Sequence, residues 1–213
     1  MWTDEKDIVE FFYDGDGNRI AKRTNGKFTY YVVDPNREVS QVLAELDPAG
    51  KVKQTYTLGL ERISAYSVQG TADSYYLQDG LGSSIGLSDA SGKIAESYSY
   101  DAFGNRLGTV PASQGTVPNS FLFAGEQLDP ETGLVYLRAR YYDPSLGRFL
   151  SRDPVMGNQT QTQSFNPYPY VQNNPTSYLD PKGKSGLPLF PSIYPWLINY
   201  LSNRVIDTYC PQC

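Results

Sequence analysis

One turn recurs along this chain six times, and it leaves the backbone little to fold into except hairpins. It reads Asp, two residues, Gly: Asp14 to Gly17, Asp47 to Gly50, Asp79 to Gly82, Asp89 to Gly92, Asp101 to Gly104 and Asp180 to Gly183. Asp at the first position of a type I turn accepts backbone N–H groups, and Gly at the fourth supplies the positive φ that closes a hairpin with a bulge. The intervening runs suit strands: Phe28 to Val33, Val52 to Leu58, Ser74 to Gln78 and Lys93 to Tyr100, several alternating with period two. Asn25-Gly26, between Arg19 to Arg23 and Phe28 to Val33, adds a further hairpin signal. The fold class is all-β, a meander of hairpins with one buried and one solvated face. A short amphipathic helix fits only Ile193 to Val205, where Tyr194, Leu197, Ile198 and Leu201 fall on one face.

Composition narrows the chemistry. The chain has 213 residues, enough for a sizeable core, and no histidine, which removes Ser-His-Asp and Cys-His nucleophile systems and His-ligated zinc. Its two cysteines, Cys210 and Cys213, form a C-x-x-C end with neither a following helix nor further ligands; a chance disulfide or a loose end is the expectation. Asp14, Asp16 and Asn18 imitate a calcium loop, but Arg19 stands where Gly belongs and Asn25 where Glu belongs. No cofactor or metal is expected. The net charge of −5 offers nucleic acid and anionic membranes no long-range attraction. Met1 to Phe12 lacks the basic flank and apolar run of a secretory signal, and Leu187 to Leu201, broken by Pro188, Pro191 and Pro195, falls short of a spanning helix.

Tyr13 to Arg19 and Tyr100 to Arg106 both fit Y-D-x-x-G-N-R, the signature of a repeat architecture. Here the chain resembles the Rhs, or YD-repeat, proteins. Phe121 to Arg152 resembles their Rhs repeat-associated core domain, notably at Gly125-Glu126, Glu131-Thr132-Gly133-Leu134, Tyr136 to Pro144 and Gly147-Arg148-Phe149. The likeness continues through Tyr168 to Asn174 and the Asp180-Pro181-Lys182-Gly183 box, covering residues 13 to 184. It implies a β-sheet strip that spirals into a hollow shell around a toxin, with the core domain as its cap. Residues 1–120 are then the meander, 121–184 the cap and 185–213 a short variable tail. It also implies a secreted or cell-surface destination, and as partners an upstream repeat shell or the chain's own tail.

In many members the core resembles an aspartyl autoprotease that cuts just after the D-P-x-G box. That motif set falls on Arg152, Asp153 and Pro154 and on Asp180, Pro181 and Gly183. Asp153 and Asp180 could share a proton as base and acid if folding brings them together, with Arg152 holding one ionised; the same residues also suit turns and ion pairs in a β-cap. The chain departs from the family where Lys184-Ser185-Gly186 precedes Leu187 instead of Leu following the box, where Val155 to Asn166 lacks a second acid, and where Gln78 to Gly82 replaces a histidine-containing turn.

Size bounds the shell. About 18 strands spaced 4.8 Å apart close to a diameter of about 27 Å, whereas a compact domain of ~100 residues needs about 34 Å. The chain alone cannot enclose an ordinary toxin, and the 30 residues after Gly183 are too few for most independent domains. The expectation is a carboxy-terminal fragment or orphan with a vestigial payload. Sheet edges could pair with another copy. Tyr30, Tyr31, Tyr56, Tyr66, Tyr75, Tyr76, Tyr98 and Tyr100 suggest either cross-strand ladders or a carbohydrate-binding face. Arg138, Arg140 and Arg148, balanced by Glu126, Asp129, Glu131 and Asp143, suggest intramolecular ion pairs.

Overall fold

The computed structural model describes residues 7–70, 72–108, 119–155, 165–184 and 186–188. Among these there is no α-helix, and so none long and apolar enough to cross a membrane. The amphipathic stretch at 193–205 and the two cysteines lie outside the described residues.

Nine strands form the first sheet: β1 (Val9–Tyr13), β2 (Arg19–Thr24), β3 (Lys27–Asp34), β4 (Gln41–Leu46), β5 (Val52–Leu58), β6 (Arg62–Ser67), β7 (Ala72–Gln78), β8 (Ser84–Ser88) and β9 (Ile94–Ser97). Each pairs antiparallel with the next, so spatial order follows chain order, and among the described residues β1 and β9 are the edge strands. The joints explain why. In all six Asp-x-x-Gly turns the Gly N–H donates to the Asp carbonyl, at 2.9 to 3.3 Å. All six glycines sit at positive φ. At Asp14, Asp47, Asp79, Asp89 and Asp101, Oδ1 accepts the N–H groups two and four residues on, a pocket of donors that fixes the turn. A bulge precedes four of these turns, at Phe12/Tyr13, Glu45/Leu46, Leu77/Gln78 and Leu87/Ser88. Asn25 and Gly26 both take positive φ, as a two-residue β2–β3 hairpin requires.

The strip's two faces differ from the simple alternation expected. Registered pairs place Lys22, Tyr31, Glu45, Gln54, Tyr56, Ala65, Ser74, Leu87 and Glu96 on the covered side. Tyr30, Val32, Tyr66, Tyr75 and Leu77 lie on the other side, partly exposed. A second unit packs on the covered side and supplies partners for some of its polar groups, Glu131 for Lys22 and Gln127 for Tyr31, while Glu45 and Glu96 accept from Tyr56 and Tyr98.

That unit is a four-stranded antiparallel sheet, β10 (Gln127–Asp129), β11 (Leu134–Leu137), β12 (Arg140–Asp143) and β13 (Arg148–Phe149), with a small pair β14 (Tyr178–Leu179) and β15 (Leu187–Pro188). Its core is aromatic: Phe123, Tyr142, Phe149 and Tyr170 with Val135, Leu137 and Val171. Tyr142 and Tyr170 lie 4.4 Å apart by centroid. The Tyr142 hydroxyl donates to Phe103 O at 2.6 Å, tying the second YD turn to this core. Gly104 of that turn lies against the Phe123 ring so closely that a Cβ would come within 2.5 Å of it.

Three further contacts join strip and cap. Phe121 packs edge-on against Tyr56, with Ala65 beside it. Arg19, the last residue of the first Y-D-x-x-G-N-R, is buried with its guanidinium 4.4 Å from the Tyr136 ring and 2.5 Å from Asp129, itself fully buried. Lys22 reaches Glu131 at 2.9 Å. Arg106, the same motif position in the second copy, is exposed over Tyr98. The repeat residue is spent on the turn's neighbours, so its task depends on what lies across the sheet.

Candidate functional site

The β11–β12 hairpin carries the site. Leu137 pairs with Arg140, so the turn is Arg138-Ala139, and Arg138 takes φ +55°, a left-handed conformation costing about 1–2 kcal/mol in a residue with a Cβ. Its side chain is anchored three ways. It pairs with the buried Glu126, donates to Pro181 O at 2.9 Å and donates to Ser40 O at 3.0 Å. Arg138 thereby links the cap, the box and the β3–β4 connection of the strip.

The box docks onto this hairpin as the sixth copy of the Asp-x-x-Gly turn. Gly183 N–H donates to Asp180 O and Lys184 N–H donates to Asp180 Oδ1 at 3.0 Å, the same i+4 bond seen in the other turns. What differs is the second carboxylate oxygen. In the YD turns Oδ2 accepts from the Asn four residues on, Asn18 for Asp14 and Asn105 for Asp101. The box has Lys184 at that position, and Asp180 Oδ2 instead accepts from Arg140 Nη2 at 3.1 Å. Gly183 is at φ +63°, and an added Cβ would lie inside the contact surface of Leu137 O and 3.1 Å from Arg140 N; only glycine allows this docking.

Arg140 is the hub. It is 3% exposed in its side chain and lies 3.5 Å over Phe149. Nη2 bridges Asp153 Oδ2 at 2.8 Å and Asp180 Oδ2 at 3.1 Å, Nε donates to Gly183 O at 2.6 Å, and Nη1 donates to Pro167 O at 3.1 Å. The structure therefore brings together the two aspartates singled out from the sequence, but on one nitrogen of Arg140. Arg152, read as the basic member, is exposed and makes no ion pair among the described residues. It follows β13 on the outward side, whereas Arg140 opens β12 facing the box. Asp153 is held by its own N–H to Pro167 O and by Val155 N–H on Oδ1. Its side chain keeps 20% exposure, against 2% for Asp180.

The sequence reads Arg138 and Arg140 as members of intramolecular ion pairs, which Arg138 bears out on Glu126, and so does not single them out as site residues. Asp129 and Glu131 are in fact taken by Arg19 and Lys22 of the strip, and Asp143 caps its own turn through Ser145. Glu126, expected only as an ion-pair partner, is the acid that stands at the site through Arg138. It is buried, and burial pushes its carboxyl above the usual glutamate value, with the Arg138 guanidinium pulling the other way.

Chemically, a guanidinium on a peptide carbonyl withdraws charge from its carbon and can stabilise an oxyanion there. Gly183 O occupies that position, and the Gly183–Lys184 amide nitrogen faces Asp180. Asp153 is the carboxylate reachable by water and so the one placed to act as a base. A cavity of about 540 Å³ opens beside the site, lined in part by Arg138, Arg140, Ser151, Lys182 and Lys184.

Comparison with known proteins places the chain. The family description "Teneurin YD-shell" matches residues 2–176. Among curated proteins, the tRNA3(Ser)-specific nuclease WapA of Bacillus spizizenii is 40% identical over 181 residues, 84% of this chain and 8% of that protein. Double-stranded DNA deaminase toxin A of Burkholderia cenocepacia is 29% identical over 211 residues, 86% of this chain and 14% of its own length. Among solved structures, the TcdB2-TccC3-Cdc42 complex superimposes with a TM-score of 0.60 at 25% identity, covering 84% of this chain and 9% of that one. The chain belongs to the teneurin YD-shell family, and its all-β strip is a shell-type structural element. It spans less than a sixth of the length of each of these relatives.

Proposed function

We propose that this chain forms the capped end of a YD-shell that encloses a toxin, outside the cell or at its surface. The observation that carries this reading is the fixed attachment of cap to strip: Arg19 on Asp129, Lys22 on Glu131, Arg138 on Ser40 O and Phe121 against Tyr56. With the cap stapled to one covered face, β1 ends the strip among the described residues and is the edge onto which an upstream strand would add. Two of the similar proteins are, by name, a nuclease and a deaminase toxin, which supports a toxin context for the shell. The test is made on the protein with its upstream repeats in place. The segment after Gly183 should stay associated and protected from added protease until the shell is denatured; immediate digestion of that segment in the folded protein would sink the reading.

A second reading, autoproteolysis at the box, rests on the Arg140 hub. In it Asp153 takes a proton from water, the water oxygen bonds to the Gly183 carbonyl carbon, Arg140 Nε holds the developing oxyanion, and the C–N bond to Lys184 breaks as the amine receives the proton from Asp153. The expected product is a break after Gly183 in the intact mass, absent in Asp153→Asn and in Asp180→Asn. A break that persists in both variants would exclude the aspartates. The strip's tyrosines fit carbohydrate less well, since Tyr31 and Tyr56 face the cap while Tyr30, Tyr66 and Tyr75 face out.

A further inference from the structure

Among the described residues, the buried and half-buried cations that join strip and cap are matched by carboxylates, but Arg62 is not. Arg19 has Asp129, Lys22 has Glu131, Arg138 has Glu126 and Arg140 has Asp153 and Asp180. Arg62, the first residue of β6, is 5% exposed and makes no ion pair among the described residues. Its guanidinium is stacked between aromatic rings, 3.4 Å from the Phe121 centroid and 4.4 Å from that of Tyr56. Nη1 and Nη2 reach only neutral acceptors, Val42 O and Gln41 Oε1, both at 3.4 Å and so longer than a good N–H···O bond. Nε is buried without any partner. Desolvation pushes the guanidinium below the usual arginine value, and the longer-range pull of Tyr76, Tyr56, Glu126 and Glu45 does not offset it.

A cavity of about 170 Å³ adjoins this unpaired charge. Arg62, Gln41, Arg37 and Gln78 line it, and Glu61 and Glu126 also border it; Gln78 Nε2 donates to Gly82 O and Arg37 to Gly59 O, so Arg62 is the cation there without a carboxylate partner of its own. Glu126 is already neutralised by Arg138, and Glu61 sits on an exposed bend outside ion-pair distance of Arg62. Burying a charge is costly unless it is paired, and the rings of Phe121 and Tyr56 offset only part of that cost, so an anion in the cavity would gain from the guanidinium what a neutral water would not. A planar carboxylate or a small tetrahedral oxyanion matches the guanidinium fork and would displace the long bond that Arg62 Nη2 now donates to Gln41 Oε1.

We infer that the cavity between β6 and the Phe123–Gly125 turn is a binding site for a small oxyanion, a carboxylate or a phosphate, held by Arg62. The site is separate from the Arg140 hub, and the inference does not depend on any cutting there. Anion binding should stabilise the folded protein only.

The experiment uses the whole chain in an amine buffer with chloride, to which sodium acetate or inorganic phosphate is added against sodium chloride of equal ionic strength. The thermal midpoint should rise saturably, by about 5 °C or more at 100-fold excess over the dissociation constant. Comparing the two probes separates a carboxylate site from a phosphate site. Arg62→Met should remove the rise. Arg62→Lys, which keeps the charge but loses the fork, should weaken the probe at least tenfold, and it serves if the methionine variant does not fold. A rise no larger than that from chloride overturns the inference, as does an equal rise in Arg62→Met or an unchanged affinity in Arg62→Lys.

Discussion

Replacing Arg140 by methionine tests the hub directly, because methionine keeps the chain's bulk over Phe149 and removes only the charge and its donors. Asp180, 2% exposed, loses a counter-ion in the interior, a loss typically costing about 3–5 kcal/mol. The Gly183 and Pro167 carbonyls lose their guanidinium donors as well, adding about 1 kcal/mol each where no water replaces them. Asp153 contributes less, since at 20% exposure it can be hydrated. Arg140→Met should therefore lower unfolding free energy by at least 3 kcal/mol on this count, a large share of the roughly 5–15 kcal/mol that holds a domain folded. Adding Asp180→Asn removes the stranded charge, and the double variant should recover about 1.5 kcal/mol or more of the loss. Urea unfolding followed by circular dichroism measures all three proteins. A single variant within about 1 kcal/mol of wild type, or a double variant no more stable than the single, would show that Arg140 is not compensating buried charge.

The two glycine variants Gly183→Ala and Gly50→Ala share a positive φ, but only the first meets neighbouring backbone, so Gly50→Ala should cost about 1–2 kcal/mol and Gly183→Ala clearly more, read from the difference in urea midpoints. Gly104→Ala forces a methyl against Phe123 and should cost about 2–4 kcal/mol, with faster hydrogen exchange in β11 and β12; exchange unchanged there would mean the cap does not lean on the second YD turn. Acid should loosen the turns: hydrogen bonds from Asn18 to Asp14 and from Ser91 to Asp89 hold these carboxyls below the usual aspartate value. At Asp101, burial raises the carboxyl but the Asn105 bonds outweigh it. A depressed folded value means stability present above the unfolded pKa, near 3.8, and lost as pH falls through the lower folded one. Melting temperature should fall as pH drops below about 4, and less so in Asp101→Asn, which cannot titrate.

The hairpins were legible because each turn carries its own physics. Asp14, Asp47, Asp79, Asp89 and Asp101 satisfy backbone donors within four residues, so no distant partner is needed to read them. The predicted strands Val52 to Leu58 and Phe28 to Val33 fall on β5 and within β3 for the same reason. Asp153 and Asp180 were legible as a pair from the family motif alone. Their geometry was not, because a guanidinium selects its carboxylates by position in space, and Arg152 stands next to Asp153 in sequence while facing solvent.

The sequence by itself determined the local grammar of this protein: turn after turn, a linear strand order, and an all-β strip. Tertiary structure decided which polar side chains were to be buried and with whom. Arg19 and Arg106 occupy the same position in the same motif, yet one lies buried on Asp129 and the other lies in solvent over Tyr98. Burial is a property of what packs across the sheet, and a charge removed from water takes its nearest counter-charge through space, whatever the separation along the chain.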